Sequence, residues 1–177
     1  MTEERLIATT TINAPANVIF DVLADPGAHA SIDGTGWVRE PLDPQRLTGP
    51  GQIFRMAMYH DNHPDKHYEM ANRVVAYDPP NTIAWEPGQE VSKGALRRDR
   101  GNAGDESADL VFGGWIWRYD LTPLEPSKTE VRLTYDWSAV PQEGRFIEFP
   151  PFPREHLDNS LSNLAALAVR TATISTT

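Results

Sequence analysis

The sequence predicts an α+β fold: seven strands in one curved antiparallel sheet around a long C-terminal helix, with two short helices after the first strand. Three observations carry this. Six successive segments between residues 37 and 137 read as strands with no helical pattern among them, so hairpins must join them antiparallel. One long helical stripe follows, near the C-terminus. A sheet of that many strands twists, and a twisted sheet curls around a helix that offers it an apolar face.

Each element has its own local reason. Residues 6–13 alternate apolar side chains with threonines, as a strand does. Asn13-Ala14-Pro15 reads as a helix start, and Val18, Ile19, Val22 and Leu23 share one helical face behind it. Asp25-Pro26-Gly27 stops that helix; residues 28–33 form one further turn, ended by Gly34 and Gly36. Strands are then expected over 37–42, 52–60, 67–77, 82–86, 114–121 and 128–137. The last two alternate cleanly: Trp115, Trp117, Tyr119 and Leu121 on one face, and Val131, Leu133, Tyr135 and Trp137 likewise. The closing helix runs from about 154 to 169, with Leu157, Leu161, Leu164 and Ala168 as its buried stripe, and 170–177 as a frayed tail. Two segments break the rhythm: a polar insert at about 88–112 and a proline-rich linker at 138–153.

The length of 177 residues suits one domain, 1–177, large enough for a sizeable core and an internal cavity. A net charge of −9 repels phosphate backbones and anionic lipid heads, so neither nucleic acid nor membrane is an expected partner. Cysteine is absent, which excludes disulfides, thiolate metal ligands and a cysteine nucleophile. The acidic start has no signal-peptide pattern, and the longest purely apolar run is six residues, 164–169. A bilayer span needs roughly 20. The expectation is a soluble cytoplasmic protein, monomer or homodimer. There is no phosphate loop, nucleophile elbow or dinucleotide fingerprint, and no cofactor is expected.

The element order, with the segments TTTINAPANVIFDVLADP (9–26), HASIDGTG (29–36), VAYDPPNTIAW (75–85), DWSAVP (136–141) and FPPFP (149–153), resembles the helix-grip fold of the START/Bet v 1-like (SRPBCC) superfamily. Within it the chain is similar to uncharacterised bacterial members of the polyketide cyclase/dehydrase-like branch. The resemblance covers about residues 6–170. It implies a cavity between sheet and terminal helix that takes a small hydrophobic molecule, while members of the superfamily range from cyclases to lipid carriers, receptors and chaperone-associated domains. The insert at 88–112 departs from the short connection expected there.

Candidate ligand-wall residues are Phe54, Met56, Met58, Trp85, Trp115, Trp117, Tyr119, Trp137, Phe152, His156 and Leu161. Indole offers a wide apolar face and one N–H donor, which suits a planar guest, and methionine adapts to irregular shapes. Ordinary core packing beneath the helix is the alternative for each, and a cavity allows both for different residues. Candidate catalytic residues are His29, Asp33, His60 and Tyr59. His29 and Asp33 are four apart, so a helix puts them on one face, where the carboxylate would orient the imidazole; a capped helix end is the alternative. His60 shares the parity of Met56 and Met58. His60, His63 and His67 straddle a turn without a converging geometry, so no metal site is expected. Three functions stay open: a cyclase or dehydratase acting on an aromatic or polyketide-like molecule, a carrier or sensor of a lipophilic ligand, and a protein-interaction module.

Overall fold

The computed structural model describes residues 4–33, 38–42, 45–59, 66–90, 110–112, 114–140 and 154–175. The chain begins with strand β1 (Arg5–Ile12), helix α1 (Ala16–Leu23), a 3-10 turn (Pro26–Ala28) and helix α2 (His29–Asp33). Strands β2 (Val38–Pro41), β3 (Ile53–Tyr59), β4 (His67–Asp78), β5 (Thr82–Glu90), β6 (Leu110–Phe112), β7 (Ile116–Glu125) and β8 (Lys128–Asp136) follow, and helix α3 (Glu155–Ser175) closes it. The sheet is antiparallel with the path β1-β8-β7-β5-β4-β3-β2, and β6 pairs beside β7 along β5. The expected seven strands form that path.

Alternation sets what each strand buries. Phe54 and Met56 on β3 face Asn72 and Met70 on β4, and Val74 faces Trp85 on β5. Two inward rows then cross the other half of the sheet. One runs Ile83–Tyr119–Leu133–Ala8, the other Trp85–Trp117–Tyr135–Leu6. Against this face lies α3, whose Leu157, Leu161, Leu164 and Ala168 are at most 2% exposed. Ile19, Phe20 and Leu23 of α1 seal one end of the same core. The Thr129 hydroxyl donates to the Ala14 carbonyl at 2.9 Å, which ties the start of β8 to the turn before α1. Asp25 accepts from the Gly27 amide through its side chain and so caps the 3-10 turn that separates α1 from α2.

Three expectations are corrected. Strand β5 continues to Glu90 rather than ending at 86, because the C-terminal end of the insert returns as β6 and pairs with residues 88–90. That strand is hidden in the sequence by its three-residue length and polar surroundings. Strand β7 starts at Ile116, not 114, since Gly114 sits at the break between β6 and β7 with φ of 101°. The terminal helix runs on to Ser175: Ala172 continues the stripe of Ala168, and the Thr171 hydroxyl donates to the Leu167 carbonyl at 2.7 Å, so 170–175 is helix and not tail. Among the described residues no helix is long and apolar enough to cross a membrane.

Candidate functional site

The inward face around Trp85 and Trp117 gathers most of the chemistry-bearing residues. These two indoles are direct cross-strand neighbours on β5 and β7. Both are half-buried, as is Trp115, while Phe54, Tyr119, Tyr135 and Trp137 around them are 5% exposed or less. The rings pack in sequence. Trp85 lies 5.8 Å from Tyr119 and 6.0 Å from Phe54, and Trp117 lies 4.6 Å from Tyr135, which in turn lies 5.7 Å from Trp137. Alternation puts these rings on the concave side, where strand sequence alone dictates it.

Each indole of the pair carries a histidine from the helical layer. His29, first residue of α2, stacks on Trp85 with ring centres 4.9 Å apart and planes 18° apart, and meets Phe54 edge-on at 5.6 Å. Its Nε2 lies 2.8 Å from the Leu23 carbonyl oxygen. A carbonyl only accepts, so Nε2 bears the proton and Nδ1 is left as an acceptor. Burial lowers the His29 pKa below its ordinary 6.5, outweighing the Leu23 carbonyl and the nearby Asp25 charge. His156, at the start of α3, meets Trp117 edge-on at 6.0 Å. Its pKa is also lowered by burial, against the pull of Asp33.

Asp33 joins three elements. It ends α2, its Oδ2 accepts from the Val38 amide at 3.4 Å, and its Oδ1 lies 3.7 Å from Nε2 of His156. The Asp33 and His156 side chains are 10% and 7% exposed. The Tyr119 hydroxyl has its pKa raised, first by burial and then by the Asp33 charge. The carboxylate thus serves His156 and not His29: a five-residue helix places them on one side, but His29 turns toward Leu23 while α3 brings His156 to Asp33.

The remaining candidates separate. Phe54, Met56 and Leu161 are sealed core residues, and Met58 is half-buried on the same face. Tyr59 is the exception among the catalytic candidates. It pairs with His67 across β3 and β4, its ring 5.1 Å from that imidazole and under the Arg39 guanidinium at 5.0 Å. Its parity is that of Arg55 and Ala57, so it faces away from Phe54 and Met56. His60 and Phe152 lie outside the described residues. No group of three His, Asp or Glu side chains suited to a metal occurs among the described residues. Two residues escaped the sequence reading of the site. Tyr135 was legible as inward-facing, but nothing in its spacing joined it to Trp117. Ser160, 3% exposed one turn beyond His156, has no hydrogen-bond partner among the described residues; a serine within an apolar helical stripe is the signal for it.

No protein-family model matches the chain. An uncharacterized protein of Mycobacterium tuberculosis H37Rv, Rv0088, is 25% identical over 167 residues, which are 93% of this chain and 62% of that protein. The chain therefore spans less than two thirds of the curated relative it matches. Among solved structures, Zhui aromatase/cyclase from Streptomyces sp. R1128 matches with a TM-score of 0.55 at 18% identity, covering 94% of this chain and 92% of that one. Norcoclaurine synthase from Thalictrum flavum matches with a TM-score of 0.57 at 13% identity, covering 94% of each chain. CV1439 from Chromobacterium violaceum matches with a TM-score of 0.58 at 19% identity, covering 93% and 96%. At these identities the likeness is one of fold, and the fold this chain shares with them is the helix-grip fold, an antiparallel sheet packed on a long C-terminal helix.

Proposed function

We propose that this chain binds a small, mostly apolar molecule carrying an aromatic ring, held between the concave face of the sheet and α3. The observation that supports it most is the pair Trp85 and Trp117, in direct register on neighbouring strands and only half-buried, while Phe54, Tyr119, Tyr135 and Trp137 around them are sealed. Apolar area left open on a concave wall is stabilised when a guest covers it, by about 25 cal/mol per Å². A flat ring suits two adjacent indoles because their faces offer area with little conformational entropy to lose. The two named enzymes of the same fold, an aromatase/cyclase and norcoclaurine synthase, fit this reading at the level of fold.

A second reading, a cyclase or dehydratase, has its own observation: the Asp33 carboxylate beside a histidine that burial keeps neutral at pH 7, next to the Tyr119 hydroxyl. A neutral imidazole oriented by a carboxylate is a general base, and a buried phenol is a hydrogen-bond donor to developing oxyanion charge. The apolar wall would fold a flexible substrate into a reactive conformer and exclude water.

Calorimetric titration with 2-methoxynaphthalene tests the binding reading. Saturable binding is expected, weakened about tenfold or more by Trp117→Ala or Trp85→Ala through the lost aromatic contact. Absence of saturable binding to the wild-type protein by 2-methoxynaphthalene, 2-naphthol and 2-naphthoate alike defeats it. Native mass spectrometry of gently purified protein separates carrier from enzyme: a co-purifying ligand released chemically intact favours the carrier, and recovery of a converted product favours the enzyme.

A further inference from the structure

The geometry points to His29 as the residue that selects the guest: we infer that the site prefers a neutral aromatic molecule bearing a hydroxyl group, whose O–H donates to His29 Nδ1, over both its hydroxyl-free and its carboxylate analogues. This rests on the binding reading above and names the ligand class for that site.

Three facts combine. First, the His29 ring is part of the aromatic box, flat on Trp85 and edge-on to Phe54, so a guest that covers the exposed part of the indole pair lies beside the imidazole. Second, the tautomer is decided by a fixed backbone neighbour: Nε2 at 2.8 Å from the Leu23 carbonyl must carry the hydrogen, which makes Nδ1 an acceptor. The residue is 8% exposed, and Nδ1 has no hydrogen-bond partner among the described residues. A buried acceptor without a donor costs free energy that a guest hydroxyl recovers. Third, the surroundings oppose an anion. The charged side chain on this side is a carboxylate, Asp33, beside the His156 that meets Trp117 edge-on, and no lysine or arginine is buried among the described residues. A guest carboxylate would be desolvated with no cation to meet it.

Three matched probes read this directly by calorimetry: 2-naphthol, 2-methoxynaphthalene and 2-naphthoate. The wild-type protein should bind 2-naphthol about tenfold more tightly than 2-methoxynaphthalene, one hydrogen bond's worth, and 2-naphthoate more weakly than either. His29→Phe keeps a flat ring on Trp85 and removes the acceptor, so the ratio of the two affinities, 2-naphthol against 2-methoxynaphthalene, should fall to about one. Should that variant not fold, nitrogen-15 NMR of the wild-type protein decides. The Nδ1 resonance of His29 should sit at the unprotonated position in the free protein and move with 2-naphthol but not with 2-methoxynaphthalene. Equal affinity of the wild-type protein for 2-naphthol and 2-methoxynaphthalene overturns the inference while leaving the binding reading intact. So does a protonated Nδ1 in the free protein, or tighter binding of 2-naphthoate. Failure of all three probes to bind removes the binding reading and the inference with it.

Discussion

His29 and His156 are buried to nearly the same degree but are held by different partners, one by a backbone carbonyl and one by a carboxylate. Both have pKa values lowered chiefly by desolvation. The consequence for stability has a definite sign. In the unfolded chain each imidazole takes up a proton as the pH falls through 6.5; in the folded protein it does so only at lower pH. The unfolded state then binds more protons, so stability is at its full value above pH 6.5 and declines below it. Each such group adds a slope of up to about 1.4 kcal/mol per pH unit between its folded and unfolded pKa values. Thermal unfolding followed by circular dichroism from pH 8 to pH 5 should show a flat Tm down to about 6.5 and a fall beneath it. His29→Phe should begin from a lower Tm, having lost the bond to Leu23, and fall less steeply. An equally steep fall in the variant would mean that His29 is not buried neutral.

At the scale of elements, the informative place is the junction of β6 and β7. Gly88 pairs with Phe112 and Trp85 with Trp117, so the two pairs are three positions apart along β5 but five apart in the partner segment. The extra length is taken up around Gly114, whose φ of 101° no L side chain adopts readily, and where an added Cβ would stand 2.8 Å from the Ala139 carbonyl oxygen. Gly114→Ala should therefore destabilise by more than the roughly 1–3 kcal/mol of backbone strain alone. Gly51→Ala is the matched control, with φ of 88° and nothing within 4 Å of the added carbon. Denaturant midpoints of the two variants should rank Gly114→Ala below Gly51→Ala, and both below wild type; a neutral Gly114→Ala would show that the junction relaxes freely. The junction matters for the proposed site because it sets the register in which Trp117 enters β7. Arg73 reinforces it from β4, with its guanidinium 4.1 Å from the Phe112 ring centre and 2.7 Å from Glu86.

Over the whole molecule, α3 packs on the sheet, would form the second wall of the proposed site, and is clasped to α2 at two points, by Asp33 with His156 and by the Asn163 amide donating to the Ile32 carbonyl at 3.1 Å. A guest between the sheet and α3 touches both layers, so its binding couples to global unfolding. At about one hundred times its Kd, a ligand that binds only the folded state adds about 2.7 kcal/mol of stability. For a chain of 177 residues this corresponds to a rise in Tm of about 5–10 °C. Differential scanning calorimetry with saturating 2-naphthol should show a rise of that order, and an unchanged Tm at a concentration that saturates in titration would mean that the unfolded chain takes up the probe as well as the folded protein does. Among the described residues Asp21, Glu40 and Asp158 are exposed carboxylates, whereas the Asp33 side chain is 10% exposed.

The amino-acid sequence by itself determined the order of the elements apart from β6, the inward parity of Trp85, Trp117, Tyr119 and Tyr135, and the buried stripe of α3. These follow from periods of 2 and 3.6, which are local properties of the chain. The same parity, applied to Tyr59, already points it away from Phe54 and Met56. What only the tertiary structure decided are the pairings between elements distant in the chain. Asp33 meets His156, 123 positions away, rather than the nearby His29; Trp85 comes into register with Trp117; and residues of a polar insert return as β6. Such contacts depend on how the sheet curls onto α3 and on a backbone carbonyl competing for an imidazole. No local spacing encodes either, because both arise only when the two layers close on each other.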